Sequence, residues 1–355
     1  MTVPLHVRAV VVTWQAAHLL PACLDSLLRQ DVPGAELEVV VVDNASTDGT
    51  RELLARDYPG VRVVASDTNR GFAGGVALGT EDFDGDVVLL LNNDAELAEG
   101  AAAVLVDALR APGAERVAAA TARILLAGRY RPTAGVTAGS PDGRSPWEPV
   151  PDGEPGGVVL VNSTGNVVGP DGAGTDRDWL VPADREHAPA DVFGFCGGAA
   201  ALRWTAAAAV GGFDAELFLY YEDTDLSWRL RAHGWDVRYV REAEARHRHA
   251  ASSGATSPRF RYYNTRNSLT VVTRHAPAPL VLRSWLRQAA GLLRALLREP
   301  RAARTRARAT GFRDAVARLP RTLRERRSLW RGAARTRPAA LAVSAAGRGP
   351  RTGSA

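Results

Sequence analysis

The chain has 355 residues, 46% of them hydrophobic, enough for a substantial buried core in one large or two small domains. All 44 of its basic residues are Arg, which excludes Schiff-base chemistry and Walker-A phosphate binding, both of which need Lys. The net charge of +5 is unevenly spread: residues 1–282 carry 25 Arg against 36 acids, and residues 283–355 carry 19 Arg against 3 acids.

The first hundred residues alternate strand and helix patterns. Val7–Thr13 is an apolar run suited to a strand buried on both faces. Leu20, Cys23, Leu24, Leu27 and Leu28 then recur at helical spacing. A second run, Leu37–Val42, ends in the polar turn Asp43–Gly49; a third, Val61–Ala65, precedes the glycine-rich Asn69–Gly75; a fourth, Asp86–Leu91, ends at Asn92-Asn93-Asp94. Repeated βα units predict a doubly wound, mostly parallel α/β sheet, in which ligands bind beyond the carboxyl ends of the strands. Thr13, Asp43, the 69–75 loop and Asn92–Asp94 all follow a strand end, and so predict one small-molecule site.

Residues 128–190 are dense in Gly, Pro and Asp with little periodicity. Short strands fit Val158–Val161 and Asn166–Val168, within either a cover over the site or a surface connection. Regular patterning returns at Val192–Gly198. Tyr220-Tyr221-Glu222-Asp223-Thr224-Asp225 then sets three carboxylates ahead of a helix that Gly234 stops. Three ionised groups this close repel unless a cation, a proton or a substrate hydroxyl joins them, so the cluster reads either as a proton-abstracting site or as a solvated acidic helix start. Leu280–Arg298 is a basic amphipathic helix, suited to an anionic membrane surface or to packing on the protein's own core. Beyond Pro300 the Arg/Ala-rich chain holds too few apolar residues to predict more than a few helical turns.

Two cysteines, Cys23 and Cys196, lie far apart without metal-ligand spacing, consistent with a reducing compartment. No signal peptide and no spanning run of about 20 apolar residues are evident. The expected location is cytoplasmic, or peripheral on the inner face of the plasma membrane.

Taken as an ordered set, Val10–Trp14, Val40–Asp48, Asn69–Gly75, Leu89–Asp94 and Phe218–Arg229 resemble family 2 glycosyltransferases of the rhamnosyl- and galactofuranosyltransferase-like kind, over about residues 5–275. The resemblance implies the GT-A fold: a Rossmann-like, doubly wound, mostly parallel sheet with a helical basic C-terminal extension. It divides the chain into a nucleotide-sugar-binding half (1–110), a Gly/Pro-rich connection (111–190), an acceptor-binding and catalytic half (191–275) and a basic tail (276–355).

The resemblance also implies roles for residues. Thr13, Asp43, Asn92 and Asn93 would bind the nucleotide-sugar; independently of the resemblance, the glycines of 69–75, Gly71 among them, allow a diphosphate to approach a helix N-terminus, and Arg70 adds a cation there. Asn92–Asp94 matches the DxD motif with its first acid replaced, leaving Asp94 as the main carboxylate for Mg2+ or Mn2+. His247 matches a metal-ligating histidine, with His249 competing. Cys196, Gly197 and Gly198 would line the acceptor or sugar pocket, and Asp223, beside Glu222, would be the base; Asp225 is read either as part of that pocket's support or as a helix cap. The implied reaction is inverting transfer from a nucleotide-diphosphate sugar, dTDP-rhamnose or a UDP-sugar, to a glycan or lipid-linked glycan hydroxyl in cell-envelope synthesis. The rival reading is a non-catalytic nucleotide- or nucleic-acid-binding protein with a basic tail. No aromatic stacking platform accompanies its arginines, so no specific nucleic acid is expected.

Overall fold

A computed structural model describes residues 4–133, 146–151, 153–248 and 257–346. The first half runs β1 (Leu5–Thr13), α1 (Leu20–Leu28), β2 (Ala35–Asp43), α2 (Thr50–Asp57), β3 (Arg62–Ala65), α3 (Gly71–Gly79), β4 (Val87–Leu91), β5 (Ala95–Leu97), α4 (Ala101–Arg110) and β6 (Val117–Leu126). The connection holds the hairpin of β7 (Arg129–Pro132) and β8 (Trp147–Val150), then β9 (Val161–Ser163), the hairpin of β10 (Asn166–Val168) and β11 (Gly174–Asp176), and β12 (Asp191–Val192). The second half runs β13 (Ala199–Arg203), α5 (Trp204–Ala209), α6 (Glu222–Ala232), β14 (Asp236–His247), α7 (Pro258–His275), α8 (Ala278–Arg298), α9 (Ala303–Leu329) and α10 (Arg337–Ala346).

The main sheet has the order β12-β14-β6-β13-β4-β1-β2-β3. Strands β1 to β4, β6 and β14 point one way, and β13 runs antiparallel between β4 and β6. Strand β1 is buried on both faces because its side chains alternate between two cores: Val7, Ala9 and Val11 join α1 and α4 on one side, and Val10 joins the Phe83, Phe195 and Phe213 cluster on the other. Helix α3 is glycine-rich because it lies tight on the sheet. A Cβ on Gly75 would come 2.4 Å from Val12 Cγ1, and one on Gly79 would come 2.8 Å from Val42 Cγ2.

Register brings the site together. Thr13 pairs with Asp43, Ala199 with Leu91, and His247 with both Leu126 and Ala95. The carboxyl ends of β1, β2, β4, β6 and β14 and the start of antiparallel β13 therefore share one edge.

The C-terminal region is more ordered than its composition predicts. Helix α9 spans 27 residues and packs along α7 through small side chains, with Thr305, Gly311, Ala315 and Thr322 buried. A Cβ on Gly311 would stand 2.5 Å from the Tyr262 carbonyl oxygen. Close backbone approach replaces bulky apolar contact, which a search for large hydrophobic residues misses. Part of its positive charge is matched by the body: Arg318 and Arg321 reach Glu216.

Asp225 ties these helices to α6. Its carboxylate accepts from Arg229 Nε at 2.9 Å, Arg274 Nη1 at 3.3 Å and His275 Nε2 at 2.8 Å. Arg274 also meets Asp214 at 2.7 Å and Glu325 at 2.8 Å, and Trp330 Nε1 donates to His275 Nδ1 at 3.3 Å. With Nδ1 accepting, His275 is neutral and its Nε2–H donates to Asp225, in keeping with a pKa lowered by burial. Burial would raise the Asp225 carboxyl, but Arg229, His275 and Arg274 outweigh it and hold Asp225 ionised. The expectation that Asp225 supports the sugar pocket is thus corrected: its charge is consumed inside the fold. Asp225→Ala, which takes from buried Arg229 its carboxylate partner, is expected to cost about 3–5 kcal/mol in chemical denaturation. A loss below 1 kcal/mol on that scale would refute the anchoring role.

Candidate active site

At the shared edge, the chain assembles two groups of polar side chains. The first is built by β1, β4 and β14. Asn93 Nδ2 donates to Thr13 Oγ1 at 3.1 Å, and both residues are buried. Asp94 Oδ1 lies 2.9 Å from His247 Nε2, with Asn92 Nδ2 at 3.5 Å from the same nitrogen. His247 Nδ1 lies 2.6 Å from Asn162 Oδ1. With that oxygen as acceptor, Nδ1 carries the proton and Nε2 is the nitrogen that faces the carboxylate. An imidazole nitrogen and a carboxylate oxygen side by side are ligand types that fit a divalent ion. No group of three or more His, Cys, Asp or Glu that could hold a metal occurs among the described residues, so further ligands would have to come from a substrate. His249 lies outside the described residues.

The second group surrounds the start of α6. Asp223 is the carboxylate of the three that keeps partial exposure, and its Oδ2 accepts from the Gly197 N–H at 3.2 Å. Its Oδ1 accepts from Thr224 N at 2.6 Å and Thr224 Oγ1 at 3.2 Å, and Asn166 supplies a further hydrogen bond. Burial raises the Asp223 carboxyl, and these donors oppose the rise without cancelling it. Glu222 is buried beside it, with Oε2 unpartnered among the described residues. Burial first, and the neighbouring Asp223 charge second, push Glu222 up to about 8, so it is a neutral acid at pH 7.

The loop before β13 forms the floor. A Cβ on Gly197 would come 3.2 Å from Phe72 Cε1 and 3.8 Å from Asp223 Oδ2, and one on Gly198 would come 3.3 Å from Ile124 Cδ1. Asn92 N donates to the Gly198 carbonyl at 3.0 Å, linking the two groups. Cys196 is held in the thiol form by burial, so it offers bulk and a weak donor but no nucleophile.

Other expected nucleotide contacts are placed less simply. Asp43 is fully buried; it caps its own turn through Ser46 N at 3.0 Å and binds Arg51 at 2.5 Å. Arg51, together with Ser46, Thr47 and Asp67, lines a shallow pocket of about 440 Å³ above the ends of β2 and β3. Arg70 is exposed and bonds Ser66 Oγ at 3.1 Å. Gly71 is buried with φ +70°, where a Cβ would stand 2.2 Å from the Phe218 carbonyl oxygen. Its glycine requirement comes from packing against Phe218, so diphosphate contact is not needed to explain it.

Sequence reasoning missed four residues. Asn162, Asn166 and Asp176 come from the aperiodic connection. Asp176 accepts from Ser163 and Cys196, and burial, with the nearby Asp223 charge, raises its carboxyl to about 6. The fourth, Asn267 on α7, is fully buried, and its Nδ2 donates to the carbonyls of Leu217 at 2.8 Å, Leu219 at 2.9 Å and Tyr220 at 2.8 Å. These carbonyls belong to a strained turn in which Phe218, Tyr220 and Tyr221 all have positive φ. Only a strand-like Asn166 was legible beforehand, and no local pattern marks the other three.

The neutral Glu222 makes a pH prediction. Its folded pKa of about 8 exceeds the ordinary 4.5, so the folded state holds a proton that the unfolded chain has released. Stability contributed by this group falls as pH rises through that window, by up to about 1.4 kcal/mol per pH unit, and levels off above it. Glu222→Gln is expected to flatten the decline of the melting temperature between about pH 5 and pH 8. Parallel curves for variant and wild type would show that Glu222 ionises normally.

Comparison with known proteins bears on this edge. The profile of glycosyl transferase family 2 matches residues 9–147, and that of glycosyl transferase family group 2 matches residues 165–342. An N-acetylglucosaminyl-diphospho-decaprenol L-rhamnosyltransferase of Mycobacterium tuberculosis is 30% identical over 231 residues, which cover 61% of this chain and 68% of that protein. A poly(ribitol-phosphate) beta-N-acetylglucosaminyltransferase, TarS, of Staphylococcus aureus is 36% identical over 90 residues, 24% of this chain and 15% of that one. Among solved structures, GalNAc-T7 with UDP, GalNAc and Mn2+ superposes with TM-score 0.58 at 15% identity, covering 90% of this chain and 57% of that chain. A mannosyltransferase, PcManGT, from Pyrobaculum calidifontis with GDP-Man and Mn2+ superposes with TM-score 0.51 at 18% identity, covering 97% and 88%. At such identities the superpositions establish the shared GT-A-like fold alone. The family profiles and the mycobacterial relative reach further: the chain belongs to glycosyltransferase family 2.

Proposed function

We propose that the chain is an inverting glycosyltransferase that moves a sugar from a nucleotide-diphosphate donor to a hydroxyl of a glycan or lipid-linked glycan. The observation that carries the reading is the position of Asp223: a carboxylate of raised pKa, fixed by Gly197, Thr224 and Asn166, partly exposed above a glycine floor. The 30% identical relative is named for rhamnosyl transfer to a lipid diphosphate-linked N-acetylglucosamine. It supports dTDP-rhamnose as the first donor to try, with UDP-hexose and UDP-galactofuranose behind it, and supports a lipid-linked acceptor of cell-envelope synthesis.

The chemistry follows from the groups present. The acceptor oxygen forms a bond to the anomeric carbon as the bond from that carbon to the diphosphate oxygen breaks. Asp223 takes the hydroxyl proton, and attack from the face opposite the leaving group inverts the anomeric centre. Glu222, neutral at pH 7, spares Asp223 a second adjacent negative charge. Asp94 and His247, with Asn92 beside them, would hold Mg2+ or Mn2+, whose charge would stabilise the departing diphosphate. The binding of Mn2+ in two structural neighbours is in keeping with that ion. Thr13, Asn93 and the Arg51-lined pocket would take the nucleoside, and Asp176, beside Cys196 and near Asp223, would accept sugar hydroxyls.

Asp223→Asn is expected to lower kcat by about 10²–10⁴-fold while nucleotide-sugar binding, read by calorimetry, stays within about threefold. Near-normal turnover would remove Asp223 from the base role. Asp176→Asn is expected to raise KM for one substrate by about tenfold with a smaller change in kcat, the affected substrate identifying the sugar it holds. Unchanged KM values for donor and acceptor would make Asp176 structural.

A further inference from the structure

Helix α8 packs Val281 and Trp285 against the body and bares a second apolar row to water. Toward the protein it turns buried Ser284 and Gln288, and Gln288 Nε2 donates to Ser268 Oγ at 2.9 Å. Toward water it turns Leu282, Leu286, Leu293 and Leu297, which are 62%, 62%, 59% and 77% exposed. At helical spacing these four fall within an arc of about 60°, and Arg283, Arg287, Arg294 and Arg298 fill the adjoining arc of about 60°. The helix contains no acidic residue.

A monomer in water gains nothing from a row of exposed leucines, so the row calls for an occupant. The flanking arginines specify its chemistry. An apolar protein groove would require the leucines alone, whereas a surface with apolar depth and anionic heads matches both rows at once. We infer that α8 seats the enzyme on an anionic lipid bilayer, with the leucines in the acyl boundary and exposed Arg294 and Arg298 among the headgroup phosphates. No helix among the described residues is long and apolar enough to cross a membrane, so α8 lies in the interface plane.

The seat also lies beside the site. Arg283 donates to the Pro170 carbonyl at 2.7 Å and Arg287 to the Asp171 carbonyl at 3.4 Å, both in the turn between β10 and β11 that leads to Asp176. Docking would therefore set the sugar end of the cleft near the headgroups, where a lipid-linked acceptor presents its glycan. This purpose rests on the acceptor reading above; the leucine and arginine rows do not.

The test is co-sedimentation of the full chain, without donor, on vesicles of phosphatidylcholine alone or mixed with phosphatidylglycerol. Wild type is expected to pellet with the mixed vesicles. The L282Q/L286Q/L293Q/L297Q variant should lose at least about 100-fold in partitioning, and R294Q/R298Q about fivefold per arginine on mixed vesicles only. Undiminished pelleting of the leucine variant would overturn the assignment. So would a wild-type dimer in sedimentation velocity that the leucine variant abolishes, without vesicle binding, since a second copy would then be the occupant. Transfer to a short-chain soluble acceptor should be the same in both proteins. If neither protein transfers while wild type alone pellets, the lipid seat stands and the acceptor reading falls.

Discussion

The first turn of α6 places three carboxylates within four residues, and the fold is viable because it gives each a different electrostatic fate. Asp225 points inward to Arg229, Arg274 and His275 and stays ionised by pairing. Glu222 is buried without a countercharge and stays neutral. Asp223 faces the cleft, where backbone and side-chain donors hold its charge. Were all three ionised and unpaired, mutual repulsion and desolvation would expel the helix start from the core. The Asp225 anchor makes the arrangement possible, because it fixes α6 while leaving Asp223 facing the cleft.

That anchor explains why the C-terminal helices belong to the catalytic body. Arg274 and His275 end α7 and bind Asp225 directly, while Glu325 of α9 holds Arg274 and Trp330, the residue after α9's end, holds His275. The same α7 supplies Asn267, whose single amide nitrogen reaches three carbonyls of the turn before α6. Three non-glycine residues at positive φ cost of the order of 1–3 kcal/mol each, and they persist because this clamp and the anchor over-determine the turn.

The sheet edge was legible in sequence because its signal is local: an apolar run followed by a polar turn, repeated four times, places Thr13, Asp43 and Asn92–Asp94 together. The connection was not legible, since Asn162, Asn166 and Asp176 are single polar residues in an aperiodic stretch, meaningful only once β9 pairs with β6 and β10 with β11. Asp225 was misread for a similar reason: its partners Arg274 and His275 lie about 50 residues onward, and no spacing rule connects them. Helix α9 escaped notice because its packing face is built from Gly, Ala and Thr. The glycines of α3 serve packing in a way no local pattern marks: Gly75 and Gly79 admit Val12, Val10 and Val42.

Of the three carboxylates in the α6 turn, Asp223 faces the cleft while Glu222 is neutral and Asp225 is internally paired, which is why the proposed one-step displacement rests on Asp223. The most direct test is the anomeric configuration of the product, read by NMR after transfer from a nucleotide-sugar of defined configuration. Inversion is expected for displacement in one step with Asp223 as base; retention would contradict it.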